Sequence, residues 1–76
     1  MRQEIFDDGD VQIFREGAKY FVRYDAGSHQ VEIREDEISV DEANRMMGNP
    51  EEINNVLFSL QKKLHGAGEN PYESNI

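Results

Sequence analysis

The sequence contains no cysteine, no tryptophan and only two prolines, and it has half as many basic as acidic side chains. Without cysteine the chain forms neither disulfides nor thiolate metal sites, which fits a reducing compartment. No apolar run approaches the roughly eighteen residues that a transmembrane helix needs, and residues 1–10 lack the apolar core of a secretion signal. We therefore expect a cytoplasmic protein that does not bind membranes.

Sixteen Asp and Glu residues against eight Lys and Arg residues give a formal net charge of −8. Direct nucleic-acid binding is disfavoured, because neutralising phosphates requires a basic face. An acidic balance favours electrostatic steering towards a basic protein, although it also serves solubility alone. The charge therefore indicates a class of partner without identifying one.

Three short segments have the composition of β-strands: Val11–Arg15, Ala18–Tyr24 and His29–Arg34. They are rich in Val, Ile, Phe and Tyr and are separated by turns that contain Gly17 and Gly27. Residues 3–6 form a weaker candidate strand. The pattern predicts an antiparallel meander of three strands, or of four if residues 3–6 join it.

The register of this sheet follows from the predicted turns. A two-residue loop at Glu16-Gly17 would place Ile13 opposite Tyr20, and a turn centred on Ala26-Gly27 would place Tyr24 opposite His29. This register predicts a core face made of Val11, Ile13, Tyr20, Val22, Tyr24, Val31 and Ile33. The opposite face would then display Gln12, Phe14, Lys19, Phe21, Arg23, Glu32 and Arg34.

Two helices are predicted after the strands. Ser39-Val40-Asp41-Glu42 has the spacing of a capping box, so a short helix should begin there and end near Gly48, with Val40 in the core. Asn49-Pro50 should open the second helix, where Ile53, Val56, Leu57, Leu60 and Leu64 form one apolar stripe. The fold class is therefore α+β, with both helices packed on one sheet face. We assign residues 1–66 to a single domain and residues 67–76 to a flexible C-terminal tail.

No arrangement of residues predicts catalysis or metal binding. His29 and His65 are far apart in sequence, and Ser28 and His29 should point to opposite faces of a strand. Asp7-Asp8-Gly9-Asp10 lacks the alternating ligands of a calcium loop and is more typical of a turn. We therefore expect a protein that is not an enzyme and that has no cofactor or metal.

Two surfaces are candidates for binding a partner. The first is an acidic patch of Glu35, Asp36, Glu37, Asp41 and Glu42, of which the last two are also explained as acids in a helix first turn. The second is the outer sheet face, where aromatic and basic side chains occur together as they do in interfaces. Its candidate residues are Phe14, Lys19, Phe21, Arg23 and Arg34. Packing of this face against Ile5 and Phe6 is the structural alternative.

Three segments, Tyr24–His29, Arg34–Ser39 and Asn70–Asn75, resemble segments of small uncharacterised bacterial proteins. In size, charge and architecture the chain also resembles, in a generic way, the small acidic immunity proteins that neutralise bacterial toxins. The resemblance transfers no functional residues. The run of acids between Glu35 and Glu52 and the absence of catalytic residues make an immunity or inhibitor protein that binds a basic protein through its acidic patch the leading hypothesis. Two alternatives stay open: a phage-derived mimic of nucleic acid that inhibits a defence enzyme, and a homodimeric accessory protein that pairs through the outer sheet face.

Overall fold

The computed structural model describes residues 1–27 and 29–76 and has an α+β fold. Four strands, β1 (Arg2–Asp7), β2 (Val11–Glu16), β3 (Lys19–Asp25) and β4 (Ile33–Ile38), precede two helices, α1 (Val40–Gly48) and α2 (Glu52–Gly66). The strands form one antiparallel sheet in the order β1-β2-β3-β4. The predicted fold class is therefore confirmed in its four-stranded form.

The core lies between one face of the sheet and the two helices. Buried side chains from the sheet meet buried side chains from both helices, and the cluster comprises Val11, Ile13, Val22, Tyr24, Ala26, Ile38, Ala43, Met46, Ile53, Val56 and Leu60. Neither helix has the length and apolar content needed to cross a membrane, as far as the described chain goes. Its extents of 28 × 23 × 19 Å show that the molecule is not elongated.

The first hairpin differs from the predicted register by an even number of residues. Its two-residue loop is Gly17-Ala18, where Gly17 adopts a positive φ of 62°, and Ile13 lies opposite Val22 rather than Tyr20. Side chains alternate between faces along a strand, so a partner shifted by two residues keeps the same face. The core face predicted for β2 and β3 is therefore correct although its pairing is not.

The second hairpin differs by an odd number of residues, and this inverts β4. Tyr24 lies opposite Arg34 instead of His29, because the loop extends from Ala26 to Glu32. The Asp25 carboxylate closes this loop by accepting the backbone N–H groups of Gly27 at 2.9 Å and Glu32 at 3.0 Å. The part of the predicted turn that involves Ser28 lies outside the described residues.

This inversion corrects three predictions. Val31 lies in the loop with 71% of its surface exposed, so it is not a core residue. Residues 35–37, which follow the predicted third strand, belong to β4. Arg34 and Asp36 turn towards the core, whereas Glu35 and Glu37 occupy the outer face beside Arg23 and Phe21.

The helix starts follow local signals. The capping box is present, since Ser39 Oγ accepts the Glu42 N–H at 3.1 Å and Glu42 Oε1 accepts the Ser39 N–H at 2.8 Å. Val40 is 49% exposed, so its assignment to the core is wrong. Helix α2 starts at Glu52, two residues after Pro50, and buries the predicted stripe at Ile53, Val56 and Leu60.

Candidate binding surfaces

A buried ion pair lies on the inner face of β4. The guanidinium of Arg34, only 4% exposed, donates to Asp36 through Nε at 3.0 Å and Nη2 at 2.9 Å. The Tyr24 hydroxyl also donates to Asp36, at 2.9 Å, and burial followed by this hydrogen bond raises the pKa of Tyr24. Arg34 was predicted on the outer face. That assignment is wrong because the register of β4 differs by an odd number of residues.

The outer face carries a second charged cluster, centred on Glu35. Arg2 forms a bidentate pair with this carboxylate at 2.8 and 2.7 Å, and Arg23 contacts it at 3.2 Å. Hydrogen bonding to Arg2 is the main reason that the pKa of Glu35 lies below its usual range, and the Arg23 charge adds to it. Glu35 is thus neutralised within the molecule.

The same two arginines cover the aromatic rings of the outer face. The Arg2 guanidinium lies 5.2 Å from the centre of the Phe14 ring and 4.9 Å from that of Phe21, and Arg23 lies 5.3 Å from Phe14. Both rings are only half-buried. Cation–π contacts of this kind stabilise aromatic side chains on a wet surface.

The N-terminal segment does not cover the outer face with Ile5 and Phe6. Ile5 and Phe6 pack against the core cluster on the other side of the sheet, and Arg2 is the residue that reaches the aromatic rings. Lys19 is exposed opposite Glu16 at the hairpin end. Of the predicted surface, the structure brings together Phe14, Phe21 and Arg23 only.

The predicted acidic patch is divided by these contacts. Glu35 and Asp36 are held by arginines, and Glu42 is half-buried and engaged in the capping box. Glu37 and Asp41 are exposed and form no ion pair within the described part of the chain. We call the exposed residues Glu37, Val40 and Asp41 the junction surface, because they lie in the part of the sequence where β4 ends and α1 begins.

Exposed aromatic residues mark a further surface at the end of α2. Phe58 and Tyr72 are 63% and 58% exposed, and with Lys62 and His65 they border a shallow cavity of about 250 Å³ at the end of α2. Lys62 lies 5.4 Å from the centre of the Phe58 ring. Phe58 lies off the apolar stripe of α2, which was the one available signal that it is exposed.

The C-terminal residues 70–76, here called the strap, lie against β4. Arg34 Nη1 donates to the carbonyl oxygens of Asn70 at 3.0 Å and Glu73 at 2.8 Å. The Asn75 side chain forms two hydrogen bonds with the backbone of Glu35, and Pro71 is fully buried. These contacts give the predicted tail a defined position on the sheet.

The acidic side chains of the β1–β2 connection stabilise its turn by accepting backbone hydrogen bonds. Asp8 Oδ1 accepts the N–H groups of Asp10 at 3.0 Å and Val11 at 2.7 Å, and Asp7 Oδ1 accepts that of Gly9 at 2.7 Å. Within residues 1–27 and 29–76, no group of three or more His, Asp or Glu side chains is placed to hold a metal ion. The pairing of Ser28 with His29 that we considered for catalysis lies outside the described residues.

The structure thus defines a small α+β protein with a four-stranded meander, two helices and charged surfaces on either side of β4. Comparisons of the chain with protein-family models, with curated proteins and with solved structures give no match.

Proposed function

We propose that the protein is a non-enzymatic binding protein of the immunity or inhibitor type, and that it engages a basic protein partner through the junction surface. The observation that carries this proposal is an exposed apolar side chain with two unpaired acids close to it in sequence. Val40 is 49% exposed, and Glu37 and Asp41, which are also exposed, form no ion pair within the described chain. An apolar contact with a polar rim is the usual composition of a protein interface.

The internal ion pairs explain why this surface is favoured over the wider patch. Arg2, Arg23 and Arg34 already neutralise Glu35 and Asp36, so a partner would have to replace those contacts to use these acids. Recognition of Glu37 and Asp41 requires no such exchange. The net charge of −8 would increase the rate at which a basic partner is encountered.

The two alternative functions receive less support from the structure. A mimic of nucleic acid needs acids spaced along an elongated surface, whereas the molecule measures 28 × 23 × 19 Å. A homodimer through the outer face would have to bury Phe14 and Phe21, over which Arg2 already lies.

Charge reversal with a matched control tests the proposal. The variant Glu37→Lys/Asp41→Lys removes the acids of the junction surface, and Glu51→Lys/Glu69→Lys removes two exposed acids elsewhere. Each reversal adds two charges, so both variants change the net charge from −8 to about −4. Asp41 and Glu51 both lie at a helix start, so the effect of reversal on the helix dipole is also matched.

Proteins captured from a lysate of the source organism would be identified, purified and titrated against each variant by calorimetry. We expect a basic binder whose affinity falls at least about tenfold with Glu37→Lys/Asp41→Lys and changes little with Glu51→Lys/Glu69→Lys. Equal weakening by both variants would show that only net charge matters. Capture of no basic protein would contradict the proposed function.

A further inference from the structure

Strand β4 forms an edge of the sheet in the described chain, and its edge is covered at one position by a side chain. Backbone N–H and C=O groups of alternate residues in an antiparallel strand point away from the neighbouring strand. At Glu35 both groups are taken by Asn75, whose Oδ1 accepts the N–H at 2.8 Å and whose Nδ2 donates to the C=O at 2.8 Å.

The Asn75 carboxamide therefore occupies the place of the N–H and C=O groups of one residue in a neighbouring antiparallel strand. It offers one donor and one acceptor to the same residue, as an added strand would. Asn75 Nδ2 also donates to Asp36 Oδ1 at 3.3 Å, so the same amide contacts the Arg34–Asp36 ion pair. The site that receives this side chain is thus built for an extended backbone.

The strap is attached mainly by hydrogen bonds and buries little apolar surface. Arg34 holds the carbonyl groups of Asn70 and Glu73, and Glu32 Oε2 accepts the Ser74 N–H at 3.0 Å. Pro71 is the one buried residue of the strap, and every other strap residue is exposed. A segment with so little buried apolar surface opens locally at a free-energy cost well below that of global unfolding.

We propose that the β4 edge is a docking site for an extended basic segment of a partner protein, and that the strap covers this edge until the segment displaces it. The inference rests on the proposed function, because it takes its basic partner from there. Strand addition to a sheet edge draws its affinity from main-chain hydrogen bonds and its specificity from alternate side chains. Glu37, exposed on β4, would face a basic side chain of the added strand.

A second copy of β4 is a poorer occupant of this edge. The outer-face positions of β4 are Ile33, Glu35 and Glu37, so a second copy would place no Lys or Arg opposite Glu37. Opposite charges at directly opposed positions stabilise a strand pair, and like charges destabilise it. Glu37, which forms no ion pair in the described chain, therefore favours an added strand that carries Lys or Arg.

The experiment compares wild type, Asn75→Ala and the control Asn54→Ala, in which an exposed asparagine of α2 is removed. The probe is a synthetic peptide of about eight alternating Lys and Val residues, a typical strand length, with a Glu/Val peptide as its control. Amide hydrogen exchange at Glu35 reports opening of the strap. NMR titration reports peptide affinity and the position of the bound peptide.

We expect Asn75→Ala to increase exchange at the Glu35 amide and affinity for the Lys/Val peptide by roughly tenfold each, as loss of two ordinary hydrogen bonds implies. The NMR chemical-shift changes on adding the peptide should centre on residues 33–37. Asn54→Ala should match wild type in both exchange and peptide affinity. Unchanged exchange, unchanged affinity, or binding centred on another surface would each overturn the proposal.

The two proposals fail in different ways. One outcome is capture of a basic partner whose binding is lost in Glu37→Lys/Asp41→Lys but unchanged in Asn75→Ala. In that case strand docking is wrong and the proposed function stands. If Asn75→Ala binds the Lys/Val peptide more tightly but no basic protein is captured, the edge is a strand-docking site and the proposed function is wrong.

Discussion

Replacing Arg34 with Met should destabilise the fold more than any surface substitution, because it leaves a buried carboxylate without its partner. Arg34 and Asp36 are 4% and 10% exposed, and the guanidinium contributes two hydrogen bonds to Asp36 and two to the strap. Removing one member of a buried ion pair costs about 3–5 kcal/mol. A chain of this length has a total stability of about 4–11 kcal/mol.

The loss would therefore consume much of the stability. At about 4–8 °C per kcal/mol for a domain of this size, the melting temperature should fall by more than about 12 °C. Urea unfolding followed by far-ultraviolet circular dichroism measures the free energy directly, and an unchanged m-value would show that the unfolded state is the same.

A double-mutant cycle separates the ion pair from simple loss of packing. Asp36→Leu alone leaves a buried guanidinium without its partner, so it should also cost several kcal/mol. Arg34→Met/Asp36→Leu leaves no buried charge at this pair. Its loss of unfolding free energy should therefore be at least about 2 kcal/mol smaller than the sum of the two single losses. A loss below about 1 kcal/mol for Arg34→Met, or strictly additive effects, would refute the view that the pair is buried and coupled.

Three further predictions test the outer face and the β3–β4 loop. Because the folded-state pKa of Glu35 lies below its usual value, its ion pairs contribute fully above about pH 4.3 and are lost as pH falls through the lower folded pKa. Thermal unfolding of wild type should therefore depend more steeply on acid pH than that of Glu35→Gln, and identical pH profiles would contradict this assignment. Arg2→Met removes the bidentate pair and two cation–π contacts, so it should lower the unfolding free energy measured by urea titration. A change within error would show that these contacts are too well solvated to stabilise the fold. In Gly27→Ala the new Cβ collides with the Gln30 carbonyl oxygen and should cost about 1–3 kcal/mol, whereas Gly66→Ala, with open space around it, should be neutral or stabilising in the same assay.

The elements that sequence patterns predicted well are those governed by local chemistry. The capping box at Ser39 and the apolar stripe of α2 depend on residues three and four positions apart, and both were found. The core face of β2 and β3 was also predicted, because the register of the first hairpin was wrong by two residues, which leaves each side chain on the same face. These features need no information from distant parts of the chain.

Strand β4 was misplaced because its inner face is polar. Hydrophobic periodicity assumes that apolar residues point inward, and it selected Val31 and Ile33. The inner positions are instead Arg34, Asp36 and Ile38, and a buried ion pair looks like a solvated segment in the sequence.

The candidate surfaces depended on contacts between residues far apart in the chain. Arg2 reaches Glu35 across thirty-three positions, and Asn75 reaches the same residue across forty. No spacing rule connects these segments, so the acids at 35 and 36 appeared available to a partner. Glu37 and Asp41 are the members of the predicted patch that the structure leaves exposed and without an ion pair in its described part.

The buried pair also links stability to the position of the strap. Arg34 uses Nε and Nη2 for Asp36 and Nη1 for the strap carbonyls, so one side chain serves both contacts. The double variant Arg34→Met/Asp36→Leu should be more stable than the sum of the two single losses implies. It has, however, no donor in place of Nη1 for the carbonyl oxygens of Asn70 and Glu73. This variant should therefore remain folded while the Glu35 amide exchanges faster than in wild type. If exchange at Glu35 were unchanged in that folded variant, the contacts of Pro71, Ser74 and Asn75 would hold the strap without Arg34, and Arg34 would serve only the core.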